Sequence, residues 1–284
     1  MDLAAFLVDG LLIGCVYGLA AMGMTLIWGV MKVINLAHGT LIALGCFGVY
    51  LFFQNAHLNP YLGLVMVALL GLLLGVVIYF LAIHRVIRAS YLSTLLATFA
   101  VNMILLGIGT IVFTTSPRTI NFSLGTVQVG GVTIMVTRLV AAVVSVAVTA
   151  LLYIFLYRTT PGKQIRAVAN NPGAAEIVGI NSARILGLSF GLGVMLAMIS
   201  GGLISTFFPF TILSGSVYQL KSFVIGVLGG LGNPIGSLVG GLILGALEGI
   251  SPAFMPVSWT PVFEFVLFVI ILMVRPQGLL GSKK

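Results

Sequence analysis

The chain has 284 residues, 60% of them hydrophobic and only 6% charged, with 36 glycines and a net charge of +8. At a mean hydropathy of +1.24 it carries too few charges to solvate the surface of a soluble globule, so the composition predicts an all-α, polytopic membrane protein forming one domain over residues 1–284. The basic residues stand singly or in small groups between apolar runs, which excludes a nucleic-acid surface and fits cytoplasmic loops that collect Lys and Arg.

The first run, "MDLAAFLVDGLL", lacks the basic start of a cleavable signal and is read as a retained span. Crossing a hydrocarbon core about 30 Å thick takes about 20 apolar residues, and residues 10–31, 33–53, 61–83, 91–114, 139–157 and 185–208 each supply them. Cys15 and Cys46 lie inside these runs without metal spacing and are expected to be free, structural thiols. His84, Arg85 and Arg88 in the loop 84–90, the basic residues of 158–184, and Arg275, Lys283 and Lys284 in the tail place those three segments in the cytoplasm. The N-terminus with Asp2 and Asp9, the loop 115–136 and the loop 251–258 then face outside.

The region 217–250 decides whether this topology closes. A single crossing would carry the basic tail outside, against the charge rule. "GNPIG" offers the remedy, because a proline disfavours helix in the residue before it. Two short helices, 217–231 and 235–249, are therefore predicted as a hairpin, which together with the run 260–274 gives about 8–9 membrane helices. A non-helical break at membrane depth must be buried or line a water-filled path, so Asn233 and Pro234 become candidates for the pathway. Gly232, Gly236 and Gly240 repeat at i, i+4, i+8, and Gly241, Gly245 and Gly249 do so on the neighbouring face. Missing side chains let membrane helices approach closely, within one subunit or across a seam between two.

Enzyme constellations are missing from the sequence. His38, His57 and His84 form no HExxH, there is no GxSxG, and "PGKQ" lacks the upstream glycine and the Ser or Thr of an ATP-binding loop. No catalytic residue, metal or cofactor is expected, and any ATP and magnesium must be held by other subunits. Glu248 and Glu264 are the only acidic candidates for an ion-coupling site, and both lie near the expected outer boundary, where they read as interfacial. A passive channel and an externally powered permease remain.

Between the last long runs lies "YRTTPGKQIRAVANNPGAAEIVGINSAR", residues 157–184. Thr160 before Pro161 and Asn171 before Pro172 predict the starts of two short helices, 161–169 and 172–178, with Gly179 stopping the second. Ile165, Val168 and Ala169 share one face of the first, Lys163 and Arg166 another; Ala174, Ile177 and Val178 share a face of the second. Helices this short need a surface to pack on, either lipid headgroups or a cytoplasmic partner.

Residues 10–45, residues 157–184 and "KSFVIGVLGGLGNPIGSLVGGLILGALE" (221–248), in that order, resemble the branched-chain amino acid ABC transporter permeases, of the shorter type. The similarity runs from the first span to "RPQGLLG". It implies an importer of the bacterial inner membrane built from two permease chains, two cytoplasmic ATPases and an extracytoplasmic solute-binding protein. Permeases for urea and short amides are similar. In that family's pattern 158–184 is the ATPase-coupling loop, which would engage Pro161, Lys163, Arg166, Pro172, Ala174, Ala175, Glu176, Ile177 and Gly179. An alternating-access path for a zwitterion with an apolar side chain needs polar groups, for which Asn35, His38 and Asn102 are further candidates, although Asn35 and His38 also suit a helix cap.

Overall fold

The computed structural model describes residues 3–56, 59–87, 89–129, 131–275 and 277–281. Asp2, His57, Arg88, Lys283 and Lys284, used above, lie outside the described residues. The helices are α1 (Leu3–Met31), α2 (His38–Ala56), α3 (Pro60–Ile78), α4 (Tyr91–Phe113), α5 (Val136–Arg158), α6 (Thr160–Asn170), α7 (Pro172–Ile177), α8 (Ser182–Ile204), α9 (Gly215–Gly229), α10 (Pro234–Phe254) and α11 (Thr260–Val274). Helix α3 runs on through a π turn, Tyr79–Ile83. The segment between α4 and α5, expected as a loop, contains an antiparallel hairpin of β1 (Thr126–Val129) and β2 (Val132–Met135).

Seven described helical segments are long and apolar enough to cross a membrane: α1, α3 with its π turn, α4, α5, α8, α9 with the 3-10 turn before it, and α10. This is a multi-pass membrane protein. Helix α2, of 19 residues, is more polar at both ends, and α11 has 15 residues. Helix α8 fills the centre, with Phe190, Val194, Leu196 and Leu203 inaccessible. Helices α3, α4, α5 and α11 present rows of exposed apolar side chains, such as Leu69 and Leu73 on α3 and Ile108 and Ile111 on α4. Such rows suit lipid contact.

Two glycine-lined seams hold the centre together. On α10, Gly241, Gly245 and Gly249 face Gly10, Gly14 and Gly18 of α1, so that a Cβ at Gly241 would lie 2.6 Å from the Gly14 carbonyl oxygen. The other face of α10 turns to α9, where a Cβ at Gly240 would lie 2.7 Å from the Ile225 carbonyl oxygen. Gly236 meets Gly229 there, and Gly232 packs on Gly29 of α1. Backbones can come this close only where side chains are missing, which replaces the hydrophobic drive that lipid cannot supply. Both glycine rows are thus occupied within the chain.

The hairpin at 217–250 forms, with two corrections. Its arms are unequal, since α9 has 15 residues and α10 continues past residue 249 to Phe254 for 21, with Pro252 accommodated in the last turn. The second correction concerns depth. Gly232 rests on Gly29, near the end of α1, and Leu279 and Leu280 donate backbone hydrogen bonds to Leu228 and Gly229. The turn therefore lies at the end of the bundle and not at its middle.

The interior break is elsewhere. The expected span 33–53 is helical only from His38; Lys32, at φ +55°, ends α1 in the left-handed region, and residues 33–37 run back along the bundle without helix. His38 then meets the carbonyl of Ala20, near the middle of α1, through Nε2 at 2.8 Å. Helix α9 starts against the same place, with Gly215 packed on Gly39. Two helices therefore begin inside the bundle.

Candidate functional site

At one end of the bundle, α6 and α7 follow α5 with their starts fixed by side chains. The cap of α6 is Thr159, one residue before the expected Thr160: its Oγ1 accepts from the Gly162 amide at 3.2 Å and donates to the Phe155 carbonyl at 2.6 Å. Asn171 caps α7 by accepting from the Ala174 amide at 3.0 Å, with Pro172 following it. Gly179, at φ +84°, stops α7: its amide bonds the Glu176 carbonyl and the Ile180 amide bonds that of Ala175, both at 3.0 Å. That reciprocal pair closes a helix through a left-handed glycine.

The two short helices treat their apolar residues differently. Ile165 and Val168 of α6 are buried, and the helix packs on α1, α5 and α8. Arg166 is pinned as well, with Nε donating to the Leu156 carbonyl at 3.2 Å and the guanidinium 4.4 Å from the Tyr157 ring centre. Pro161 is half-buried and Lys163 exposed. On α7 only Ala175 turns inward, at 3% exposure, while Ile177 is 87% and Val178 73% exposed. Pro172, Ala174, Glu176 and Gly179 are exposed beside them. Ala175 thus seats α7 on its own chain, and Ala174, Ile177 and Val178 form an open apolar face.

The same end contains the α9–α10 turn. Asn233 caps α10, accepting from the amides of Ile235 and Gly236 at 3.1 and 3.2 Å and donating to the Leu280 carbonyl at 3.0 Å. A cavity of about 260 Å³ is lined by Arg166, Asn170, Tyr157, Gly29, Asn233 and Pro234 among others. Asn233 and Pro234, predicted as pathway residues, therefore stand beside the α6 residues predicted for coupling.

The remaining pathway candidates meet at the interior start of α2. The Asn35 side chain accepts from the Ala37 amide at 3.1 Å, closing the turn ahead of the helix. Thr40 donates to Asn102 Oδ1 at 2.6 Å. Gln219 of α9, not singled out in the sequence, accepts from the Gly39 amide at 2.6 Å and donates to the Asn35 carbonyl at 3.3 Å. Thr98 satisfies the Ile34 carbonyl at 3.0 Å, so the buried extended backbone is paired as it must be. Asn35 Nδ2 and His38 Nδ1 are buried without a hydrogen-bond partner among the described residues. Beside them opens a cavity of about 350 Å³, lined by Thr40, Asn102, Gly215, Ser216 and Gln219 among others. Asn35, His38 and Asn102 converge; Asn233 and Pro234 do not join them.

A charged cluster occupies the opposite end from α6. Lys221 Nζ lies 2.5 Å from Glu248 Oε2, 3.3 Å from Glu264 Oε1 and 4.6 Å from the Tyr17 ring centre. Arg138 is paired with Asp9 nearby. Glu264, read from the sequence as lying near the outer boundary, is buried within this cluster, at 6% exposure. Lys221 carries no local signal in the sequence, because it precedes an apolar run and resembles a span terminus. The Gly10, Gly14, Gly18 repeat of α1 has the same i, i+4, i+8 spacing as the rows of α10 and is the signal that would have paired the two helices.

The model of the family described as "Branched-chain amino acid transport system / permease component" matches residues 6–273. The chain belongs to this family. It is 27% identical to the high-affinity branched-chain amino acid transport system permease protein LivH of Salmonella typhimurium, over 96% of this chain and 94% of that protein. It is 28% identical to the corresponding BraD protein of Pseudomonas aeruginosa over 97% and 94% of the two chains. A probable LivH of Methanocaldococcus jannaschii is 26% identical over 93% and 88%. The permease family thus spans both glycine seams, the interior break and the α6–α7 end.

Proposed function

We propose that this protein is the permease chain of an ATP-binding-cassette importer that carries branched-chain amino acids across the inner membrane. The observation that carries the reading is the end-to-end match to branched-chain permeases, with relatives covered over nearly their whole length. The N-terminus faces outside and the α6–α7 end faces the cytoplasm, where Lys163, Arg166 and Arg184 obey the charge rule. The partners are a second permease chain, two ATPases that bind ATP and magnesium, and an extracytoplasmic solute-binding protein. This chain itself hydrolyses nothing.

Helix α7 is the docking element. Its face of Ala174, Ile177 and Val178 is apolar and open, and burying such side chains in a partner's groove is worth about 1.5–3 kcal/mol for a fully covered Val or Ile. Motion imposed there passes through α6, whose buried face bears on α1, α5 and α8, and through Arg166 to the turn at Asn233 and Pro234. The interior break around Asn35, His38 and Asn102 is the part of the bundle able to rearrange, because its backbone is held by side chains and not by a helix ladder.

The test is reconstitution of the complex in liposomes with uptake of radiolabelled leucine, urea and a short amide. Leucine uptake that needs ATP and the binding protein is the expected result. Uptake of urea alone would reassign the substrate, and a homo-oligomer passing solute without any ATPase would make the chain a channel.

A further inference from the structure

The cavity at the end opposite α6 measures about 390 Å³, within the range of about 300–1,000 Å³ that small-molecule sites occupy. Its walls come from α1, α5, α9, α10 and α11 and include Asp9, Arg138, Lys221, Glu248 and Glu264. Charged side chains among membrane-spanning helices are costly and mark pathways when they line a cavity. Among the described residues the charges do not balance: three carboxylates face two cations.

The imbalance can be located. Arg138 is committed to Asp9. Lys221 directs its hydrogen bonds to Glu248 Oε2 at 2.5 Å and the Tyr17 hydroxyl at 3.5 Å, and Tyr17 donates to Glu248 Oε1 at 3.4 Å. Glu264 Oε1 lies 3.3 Å from Lys221 Nζ, an ammonium already held more closely by Glu248, and has no well-directed hydrogen bond of its own among the described residues. Arg138 leaves a second deficit of the opposite sign, because its Nε is buried with no acceptor. One cavity thus contains an undersatisfied acceptor of negative charge and an undersatisfied donor of positive charge. Their complement is a molecule with an ammonium and a carboxylate.

We propose that this cavity binds the zwitterionic head of an amino acid in transit, its ammonium on Glu264 and its carboxylate on Arg138. The proposal rests on the permease reading above and adds to it a site. Two other ways of settling the Glu264 charge, a proton on its carboxyl or a metal cation beside it, make different predictions. The protonated acid is mimicked by glutamine, and a metal cation is replaceable only by another ion of like size.

The experiment uses the assembled complex with its ATPases and binding protein in liposomes, and the permease in detergent for direct binding of radiolabelled leucine. Glu264→Gln leaves Lys221 and Glu248 as a balanced pair, so a purely structural cluster would tolerate it and assembly should be unchanged. Leucine uptake and direct leucine binding should fall about ten- to a hundredfold, the loss of one charged hydrogen bond. Arg138→Lys, which keeps the charge beside Asp9 but lacks the planar fork, is the independent arm and should weaken leucine binding about tenfold. Bound leucine should resist displacement by its analogue with a hydroxyl in place of the ammonium. Wild-type uptake and binding in Glu264→Gln, with wild-type uptake of leucine itself intact, would overturn the site and leave the permease reading standing. Replacement of sodium by choline that lowers wild-type uptake to the level of Glu264→Gln would assign the charge to a metal cation and also overturn it. A wild-type complex that imports no branched-chain amino acid would remove the permease reading on which the site rests.

Discussion

The α1–α10 seam and the α6–α7 end are both made of small or apolar residues on helix faces, yet one is finished within this chain and the other is not. In the seam, glycines on both helices let backbone meet backbone, and no atom of a second protein could enter. At the α6–α7 end, α6 buries Ile165 and Val168 in its own bundle, whereas Ile177 and Val178, one helix further on, remain 87% and 73% exposed. An isolated helix of six residues is far below the length that is stable alone. Its caps and Ala175 fix its place, and its outer face is left over. Completeness and incompleteness of packing, measured within one chain, therefore separate a structural seam from an apolar face left open.

The largest expected effect breaks the closed side of this comparison. Gly241→Leu puts a branched side chain where even a Cβ would lie 2.6 Å from the Gly14 carbonyl oxygen, and overpacking costs about 1–3 kcal/mol or more. Folded permease should disappear from membranes, as read by size-exclusion of a fluorescent fusion. A normal profile would mean that α1 and α10 do not pack as described.

Next comes the open side. Ala174→Arg should leave the permease folded at its usual level, but a bulky unpaired charge in an apolar groove costs about 3–5 kcal/mol, so the ATPase should no longer be retained. If α7 lay on lipid instead, the added arginine would be neutral or slightly favourable, and retention with coupled ATP hydrolysis would be normal.

Asn171→Ala sharpens the contrast at smaller scale. Loss of this cap costs about 0.5–2 kcal/mol, expected to fray α7 alone. Hydrogen exchange should rise in residues 172–177 while the thermal midpoint of the bundle stays in place; a shift of the whole midpoint would show that α7 belongs to the closed core. The mildest test is topological. With Cys15 and Cys46 replaced, the exposed Ser123→Cys should label from outside in intact cells and Lys163→Cys should not. The reverse pattern would invert the orientation.

Most of the fold was legible because an apolar run of about 20 residues has few alternatives in lipid. The α6 and α7 starts were legible from Thr, Asn and Pro, to within one residue at Thr159. What the runs concealed was the break at residues 33–37. "VMKVINLA" has no proline or glycine to announce it, and the cap reading of Asn35 and His38 marked only where α2 begins; the helix stops because Lys32 turns left-handed and because Gln219, Thr98 and Ala20, distant in sequence, supply partners. The opposite error occurred at "GNPIG", where a strong local signal gave the right turn at the wrong depth. Amphipathic spacing told which face of α6 was apolar, but not that its own chain would cover it. Lys221 was hidden because its carboxylate partners lie 27 and 43 positions away, on two other helices.

The α9–α10 turn has a further consequence for how the chain is made. Its carbonyls at Leu228 and Gly229 are satisfied by Leu279 and Leu280, and Asn233 also reaches Leu280. Those partners leave the ribosome only after α10 and α11 have been synthesised. Until then the Leu228 and Gly229 carbonyls and the Asn233 side-chain amide lack these partners, although the turn keeps its own Asn233 cap. A nascent chain arrested before Gln277 would expose these groups at the same end as α7. The last hydrogen bonds of that end therefore depend on the chain that follows α11, which is synthesised after every helix of the bundle.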